Sequence, residues 1–145
     1  MNKLGVLLDT NVLSELMRPA PSTHVLAWFE NHKMTPFYSS AITQAELLLG
    51  VALLPMGKRR DLIAEAVEIM FKQDFSGLCL SFDDLSAQEY ATLVAVRSRS
   101  GLQISTEDAQ IAAIALRHGL ALATRNTKDF INIVGLNLID PWFDK

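Results

Sequence analysis

The feature that most constrains this chain is the alternation of short apolar runs with longer stretches of helical spacing. The first run, Leu4-Gly5-Val6-Leu7-Leu8, is apolar at odd and even positions alike. A strand buried on both faces requires that pattern. Four more runs follow: Pro36-Phe37-Tyr38-Ser39-Ser40, Gly77-Leu78-Cys79-Leu80-Ser81-Phe82, Leu120-Ala121-Leu122-Ala123-Thr124 and Asn137-Leu138-Ile139. Segments with apolar residues three and four apart separate them and are long enough to serve as crossover helices. The expected architecture is an α/β fold, a three-layer α/β/α sandwich around a mainly parallel sheet of about five strands.

Punctuation residues set the helix limits. A helix is expected from near Asn11 to the proline turn Arg18-Pro19-Ala20-Pro21. Ser22 or Thr23 caps the next, with Val25, Leu26, Trp28 and Phe29 on its inner face. Thr43 to Leu54 has helical spacing through Leu47, Leu48, Val51 and Leu54. Pro55-Met56-Gly57 breaks it, and Lys58-Arg59-Arg60 opens another helix to about Phe71. Asp83 or Asp84 starts a helix to about Ser100, with Gly101 as its stop. Ser105 or Thr106 caps the last, from Glu107 to His118, which Gly119 ends. There is no repeat, low-complexity tract or linker, and residues 1–145 read as a single domain.

Half the residues are apolar and a fifth are charged, which excludes a disordered chain. No stretch approaches the roughly 20 apolar residues of a membrane span, and the N-terminal run is too short for a signal-peptide core. The single Cys79 cannot form an internal disulfide and reads as a small buried hydrophobe, usage that fits a reducing cytoplasm. His24, His32 and His118 lack ligand spacing, which disfavours zinc. With 13 basic and 16 acidic residues the chain carries no basic nucleic-acid footprint. A metal site made of carboxylates would itself pull the balance negative.

Four acids draw attention to that possibility. Asp9 directly follows the first run and precedes Thr10 and Asn11. Open parallel sheets bind ligands outside the carboxyl ends of their strands, so Asp-Thr-Asn sets a carboxylate, a hydroxyl and an amide at that rim. Asp9 serves equally well as the cap of the following helix. Glu46 stands among Ala45, Leu47, Leu48 and Leu49, which implies a largely buried helix and a carboxylate in need of a partner. Thr43 and Glu46 also have capping-box spacing, and this segment alone slightly favours the cap. Asp108 opens an alanine-rich helix suited to close packing on the sheet, and Ser105 lies at cap spacing before it. Glu107 reads as a solvated first-turn acid. Asp129, five residues past Thr124, reads alternatively as a turn residue.

Their joint placement argues for more than caps. In a parallel sheet all four positions fall on one rim. Four converging carboxylates repel one another unless a cation neutralises them. Oxygen-only donors suit hard cations, Mg²⁺ or Mn²⁺, and Mg²⁺ keeps several waters while taking one or two carboxylates.

Four segments carry a family resemblance: Leu7-Leu8-Asp9-Thr10-Asn11-Val12-Leu13, Thr43-Gln44-Ala45-Glu46-Leu47, Asp108-Ala109-Gln110-Ile111-Ala112-Ala113 and Ala123-Thr124-Arg125-Asn126-Thr127-Lys128-Asp129-Phe130. They resemble the four motifs of PIN domains, in order and across almost the whole chain. Gly50-Val51-Ala52 and the region of Asn137, Pro141 and Trp142 look like the VapC and FitB-like toxins of bacterial toxin–antitoxin pairs. The resemblance implies a small α/β/α fold, Mg²⁺-dependent RNA cleavage (Mn²⁺ as substitute), a homodimer and inhibition by a cognate antitoxin. It makes Asp9, Glu46 and Asp108 the three most regular acids. Relatives differ over whether the fourth stands where this chain has Asn126 or Asp129. Asp129 is taken as the acid, and Asn126, with Thr10, Asn11 and Thr124, as supporting polar groups.

Two other readings compete. An aspartate-nucleophile phosphatase or phosphotransferase would use Asp9 at its strand end, but usually carries a second aspartate where Asn11 stands. A non-catalytic PIN-like binding protein would keep the acids as caps. A Walker loop is absent. Lys58, Arg59, Arg60, Arg97, Arg99, Arg125 and Lys128 are candidate phosphate contacts, although a solvated helix face explains most of them. An antitoxin peptide covering the acids would counter them with arginine or lysine, and a dimer would use apolar helix surface between Ala20 and Leu54.

Overall fold

In the computed structural model, which describes residues 5–144, each apolar run becomes a parallel strand. The strands are β1 (Val6–Leu8), β2 (Phe37–Ser40), β3 (Cys79–Leu80), β4 (Ala121–Ala123) and β5 (Leu138–Ile139), in the order β3-β2-β1-β4-β5. All four pairings are parallel, with Leu7 opposite Tyr38 on one side and Leu122 on the other. Leu4, expected to open the first strand, lies outside the described residues.

β1 is central and wholly buried because it is apolar on both faces. Leu7 and Leu122 join a core with Leu93, Phe130 and the helix that precedes β4. Val6, Leu8 and Ala123 join a second core with Val12, Leu13, Trp28 and Met70. One sheet thus separates two cores, the three-layer arrangement that the apolar pattern predicts. A fully buried leucine contributes about 2 kcal/mol, so these few central strand residues weigh heavily. Gly5 leads into β1 with no room for a side chain: a Cβ there would meet Tyr38 Cε2 at 2.6 Å and the Pro36 carbonyl at 3.1 Å.

The helices are α1 (Thr10–Leu16), α2 (Thr23–Asn31), α3 (Ala41–Ala52), α4 (Lys58–Ile69), α5 (Asp84–Arg99) and α6 (Thr106–His118). Asp9, Ser22, Ser40, Asp83 and Ser105 cap five of them through side-chain oxygens. Gly119, at φ 66°, ends α6 in the left-handed conformation that glycine adopts without steric cost. On α6, Ala109, Ala112, Ala113 and Ala115 are fully buried, which seats the helix close on the sheet. After α4 a π-turn (Met70–Asp74) buries Met70 and leads into Phe75.

Three expectations need correction. α3 starts at Ala41 with Ser40 as its cap, so Thr43 is an interior residue whose N–H bonds Ser40 Oγ at 3.1 Å. The α3 surface is largely exposed, with Leu48, Leu49 and Leu53 open to solvent. Leu26 of α2 is exposed as well, leaving Val25 and Trp28 as the buried pair. Among the described residues no helix is long and apolar enough to cross a membrane.

Candidate active site

The sheet order places a crevice between the carboxyl ends of β1 and β4, because the chain leaves β1 toward β2 on one side and reaches β4 on the other. Ligands collect at such a reversal of strand order. Asp9 follows β1 and Thr124 follows β4, and Thr124 Oγ1 donates to Asp9 Oδ2 at 2.8 Å. Asn11 Nδ2 donates to the same oxygen at 3.2 Å, while the Thr10 N–H donates to Oδ1 at 2.8 Å. The cap and the site are therefore one arrangement. Asp9 is buried, and burial pushes its carboxyl pKa up against these three hydrogen bonds, with the Glu46 charge adding to the rise.

Glu46 lies in the second turn of α3, too deep in the helix for a capping box. Thr10 Oγ1 donates to Glu46 Oε1 at 2.6 Å and stands 3.0 Å from Thr43 Oγ1. Since Thr10 has one hydroxyl proton, Thr43 donates to Thr10 and Thr10 to Glu46. That relay is anchored by a fully buried Thr43 and aims the exposed glutamate.

Asp108 sits in the first turn of α6, its N–H donating to Ser105 Oγ at 3.1 Å. Its pKa is pushed up to about 6, first by burial and then by the Asp9 charge, with Asp129 and Glu46 contributing and the Ser105 hydrogen bond opposing. The four acids named from sequence are thus within electrostatic reach of one another at Asp108. Asp9, Thr10, Asn11, Glu46, Asp108 and Asn126 line one open cavity of about 500 Å³. Asp129, on the 3₁₀ turn Thr127–Phe130, is exposed and beyond that lining. Thr124 is buried behind Asp9 and also accepts from the Asn126 N–H at 3.1 Å.

Among the described residues no three of His, Cys, Asp and Glu stand close enough to hold one ion directly. The donor set is all oxygen, and its mutual repulsion is what a divalent cation relieves. It fits a hydrated hard cation taking one or two carboxylates and reaching the others through water.

The basic candidates separate cleanly. Arg97 is buried and donates to the Gln103 and Ile131 carbonyls, so it is a structural group that ties the loop after α5 to the segment following Phe130. Arg60 donates to the Val51 carbonyl. Lys58 and Arg59 line an apolar groove beside α3 and α4, and Arg125 alone of the candidate cations lines the acid cavity.

Sequence reasoning missed Glu15, Arg18, Thr43 and the position of Trp142. Glu15 is buried, accepts from the Ser22 N–H at 2.7 Å and pairs with Arg18 at 3.2 Å. The Ser22 bond, then Arg18 and the Arg125 charge, hold its carboxyl below the usual range despite burial. An acid three residues before an arginine was the available signal.

A parallel sheet with a carboxylate-lined cavity at its point of reversal defines a small α/β domain whose candidate site is acidic. The chain belongs to the PIN domain family, whose model matches residues 6–136. It is 46% identical over 137 residues to the plasmid stability protein StbB of Pseudomonas syringae pv. tomato, spanning 94% of this chain and 98% of that one. It is 42% identical to the VapC ribonuclease Y4jK of Sinorhizobium fredii, over 94% of this chain and 97% of that one. Its identity to toxin FitB of Neisseria gonorrhoeae is 41%, over 96% and 99%. The crystal structure of FitAcB from Neisseria gonorrhoeae superposes with a TM-score of 0.87 at 40% identity, covering 96% of this chain and 99% of the other.

Proposed function

We propose that this protein is a metal-dependent endoribonuclease that hydrolyses RNA phosphodiester bonds, and that it is the toxin of a toxin–antitoxin pair acting in the cytoplasm. The observation that carries the reading is the convergence of Asp9, Glu46 and Asp108 on one cavity at the carboxyl rim of the sheet. Relatives named as a ribonuclease and as a toxin, each matched over nearly its whole length, support it.

Asp9, Asp108 and Glu46 would hold Mg²⁺ or Mn²⁺, directly or through its waters, with Asn126 on the cavity wall and Asp129 adding negative charge within reach of Asp108. Bound there, the ion supplies Lewis acidity toward water and toward the phosphodiester. The residues do the positioning. Thr124 and Asn11 fix Asp9 Oδ2, and the Thr43–Thr10 relay fixes Glu46 Oε1, so neither carboxylate has to reorganise when substrate arrives. Water forms the new P–O bond, the bond to the departing ribose oxygen breaks, and that oxygen takes up a proton.

The antitoxin reading has its own support. A groove of about 950 Å³, walled by Leu47, Val51, Leu54, Ile63 and Val67, shares Thr10, Arg18 and Glu46 with the acid cavity. An amphipathic antitoxin helix fits such a groove and would bring a basic side chain onto the acids. A homodimer would use the opposite face of α3, where Leu49 and Leu53 are open to solvent.

RNA cleavage assayed with Mg²⁺ or Mn²⁺, and again in EDTA, tests the reading. Activity is expected with either ion, poor with Ca²⁺, and absent in EDTA. Asp9→Asn is expected to lose most of it. Cleavage persisting in EDTA or in Asp9→Asn, with contaminating nuclease excluded, would defeat the metal mechanism.

A further inference from the structure

The acid cavity has a second wall that the proposed chemistry does not use. Glu15, Arg18, Arg125 and Trp142 line it. A buried Glu15 in a cavity already crowded with carboxylates would deepen the repulsion, yet it is neutralised where it stands. Its oxygens accept from Arg18 Nη1 at 3.2 and 3.3 Å and from the Ser22 N–H at 2.7 Å. Arg18 itself is 63% exposed at the side chain, so the pair is anchored at the acid and open at the guanidinium.

Arg125 is arranged in the same manner by different means. Its guanidinium carbon lies 4.8 Å from the centroid of the Trp142 ring, a cation–π stack. The Trp142 ring is half-buried against the core that contains Val6, Leu8 and Trp28. The Arg125 N–H donates to Asn11 Oδ1 at 3.1 Å, which ties its backbone to the residue that also holds Asp9. Among the described residues no carboxylate pairs with the Arg125 guanidinium. The guanidinium rests on the ring with its N–H donors available, a placement from which it can bind phosphate oxygens with reduced loss of entropy.

We propose that Arg18 and Arg125 form a phosphate clamp for single-stranded RNA beside the acid site, with Glu15 and Trp142 as the positioning residues that hold the two guanidiniums in the cavity. This rests on the reading that RNA is the substrate. The clamp answers a problem the acids create: a polyanion entering a cavity lined by Asp9, Glu46 and Asp108 is repelled, and guanidinium donors on the opposite wall give its phosphates a place to bind and set the strand's path past the acids. In a chain with 13 basic and 16 acidic residues, two arginines stand on this one cavity.

The test is fluorescence anisotropy with an end-labelled, mixed-sequence single-stranded oligoribonucleotide, titrated over a range of NaCl in EDTA, where metal-dependent cleavage is silent. Arg18→Gln and Arg125→Gln are each expected to weaken binding and to reduce the slope of log K against log salt by about 0.7. Glu15→Gln is expected to weaken binding in the natural protein and to have no further effect in the Arg18→Gln background, and Trp142→Leu likewise in the Arg125→Gln background. If Trp142→Leu fails to fold, Trp142→Met, which fills much of the core volume without an aromatic face, carries the same comparison.

Unchanged salt slopes in both arginine variants would overturn the clamp, as would additive effects of Glu15→Gln and Arg18→Gln. So would RNA binding that stays intact while affinity for an acidic peptide falls, because the arginines would then serve a protein partner. Slopes that fall as expected, with no Mg²⁺-dependent cleavage, would instead support the clamp and sink the nuclease reading.

Discussion

Asp108 shows what a carboxylate cluster costs a protein. Its pKa of about 6 stands above the ordinary 3.8 because burial and the charges of Asp9, Asp129 and Glu46 all oppose ionisation. The folded state therefore favours the protonated form more than the unfolded chain does. The stability this contributes is fully present below about 3.8 and is lost as pH rises through about 6. In metal-free buffer thermal stability is expected to fall across that window, and Asp108→Asn, which stays neutral, is expected to flatten the fall and to melt no lower than the natural protein near neutral pH. Melting curves against pH in EDTA check this, and a large loss of stability in Asp108→Asn at neutral pH would contradict it. Asp9 and Asp108 were legible in sequence because each follows a strand or opens a helix at the rim. Glu15 and Arg97 were not: burial of a charge depends on carbonyls and N–H groups brought in by distant loops, as Ser22, Gln103 and Ile131 do here.

Element α3 marks the limit of periodicity as a guide. Its leucines predicted a buried helix, yet Leu49 is 59% and Leu53 75% exposed. The spacing registers that a face is apolar and says nothing of which chain covers it. Leu47, Val51 and Leu54 face the groove, whereas Leu49 and Leu53 lie roughly half a turn away, so α3 offers two apolar surfaces. Exposed contiguous apolar surface marks an interaction site. We assign the outward one to self-association, and sedimentation at micromolar concentration is expected to show a dimer that Leu49→Glu with Leu53→Glu converts to monomer. A monomeric natural protein would remove this assignment and leave the acid site untouched. The other elements were legible to within a residue where cap residues mark them, as with Asp83 or Asp84, Ser105 or Thr106, and Gly119, of which Asp83, Ser105 and Gly119 are the caps. The α3 start was misplaced because Ser40 and Thr43 are both competent caps, and only the end of β2 decides between them.

At the scale of the molecule, strand order turns residues far apart in sequence into one site. Parallel pairing was legible from runs apolar on both faces. The order β3-β2-β1-β4-β5 was not, since no local pattern encodes which side of β1 receives β4. That order brings Asp9, from the first strand end, against Thr124, from the fourth, and places Glu46 and Asp108 on the helices to either side. The central claim, that this convergence is a divalent-cation site, is tested most directly by titrating Mn²⁺ into the metal-free protein and following the free ion by electron paramagnetic resonance. The account expects saturable binding that Mg²⁺ displaces, that weakens as pH falls below about 6, where Asp108 protonates, and that Asp108→Asn largely abolishes. Binding as tight in Asp9→Asn and Asp108→Asn as in the natural protein, or no saturable binding in the natural protein above that pH, would contradict it.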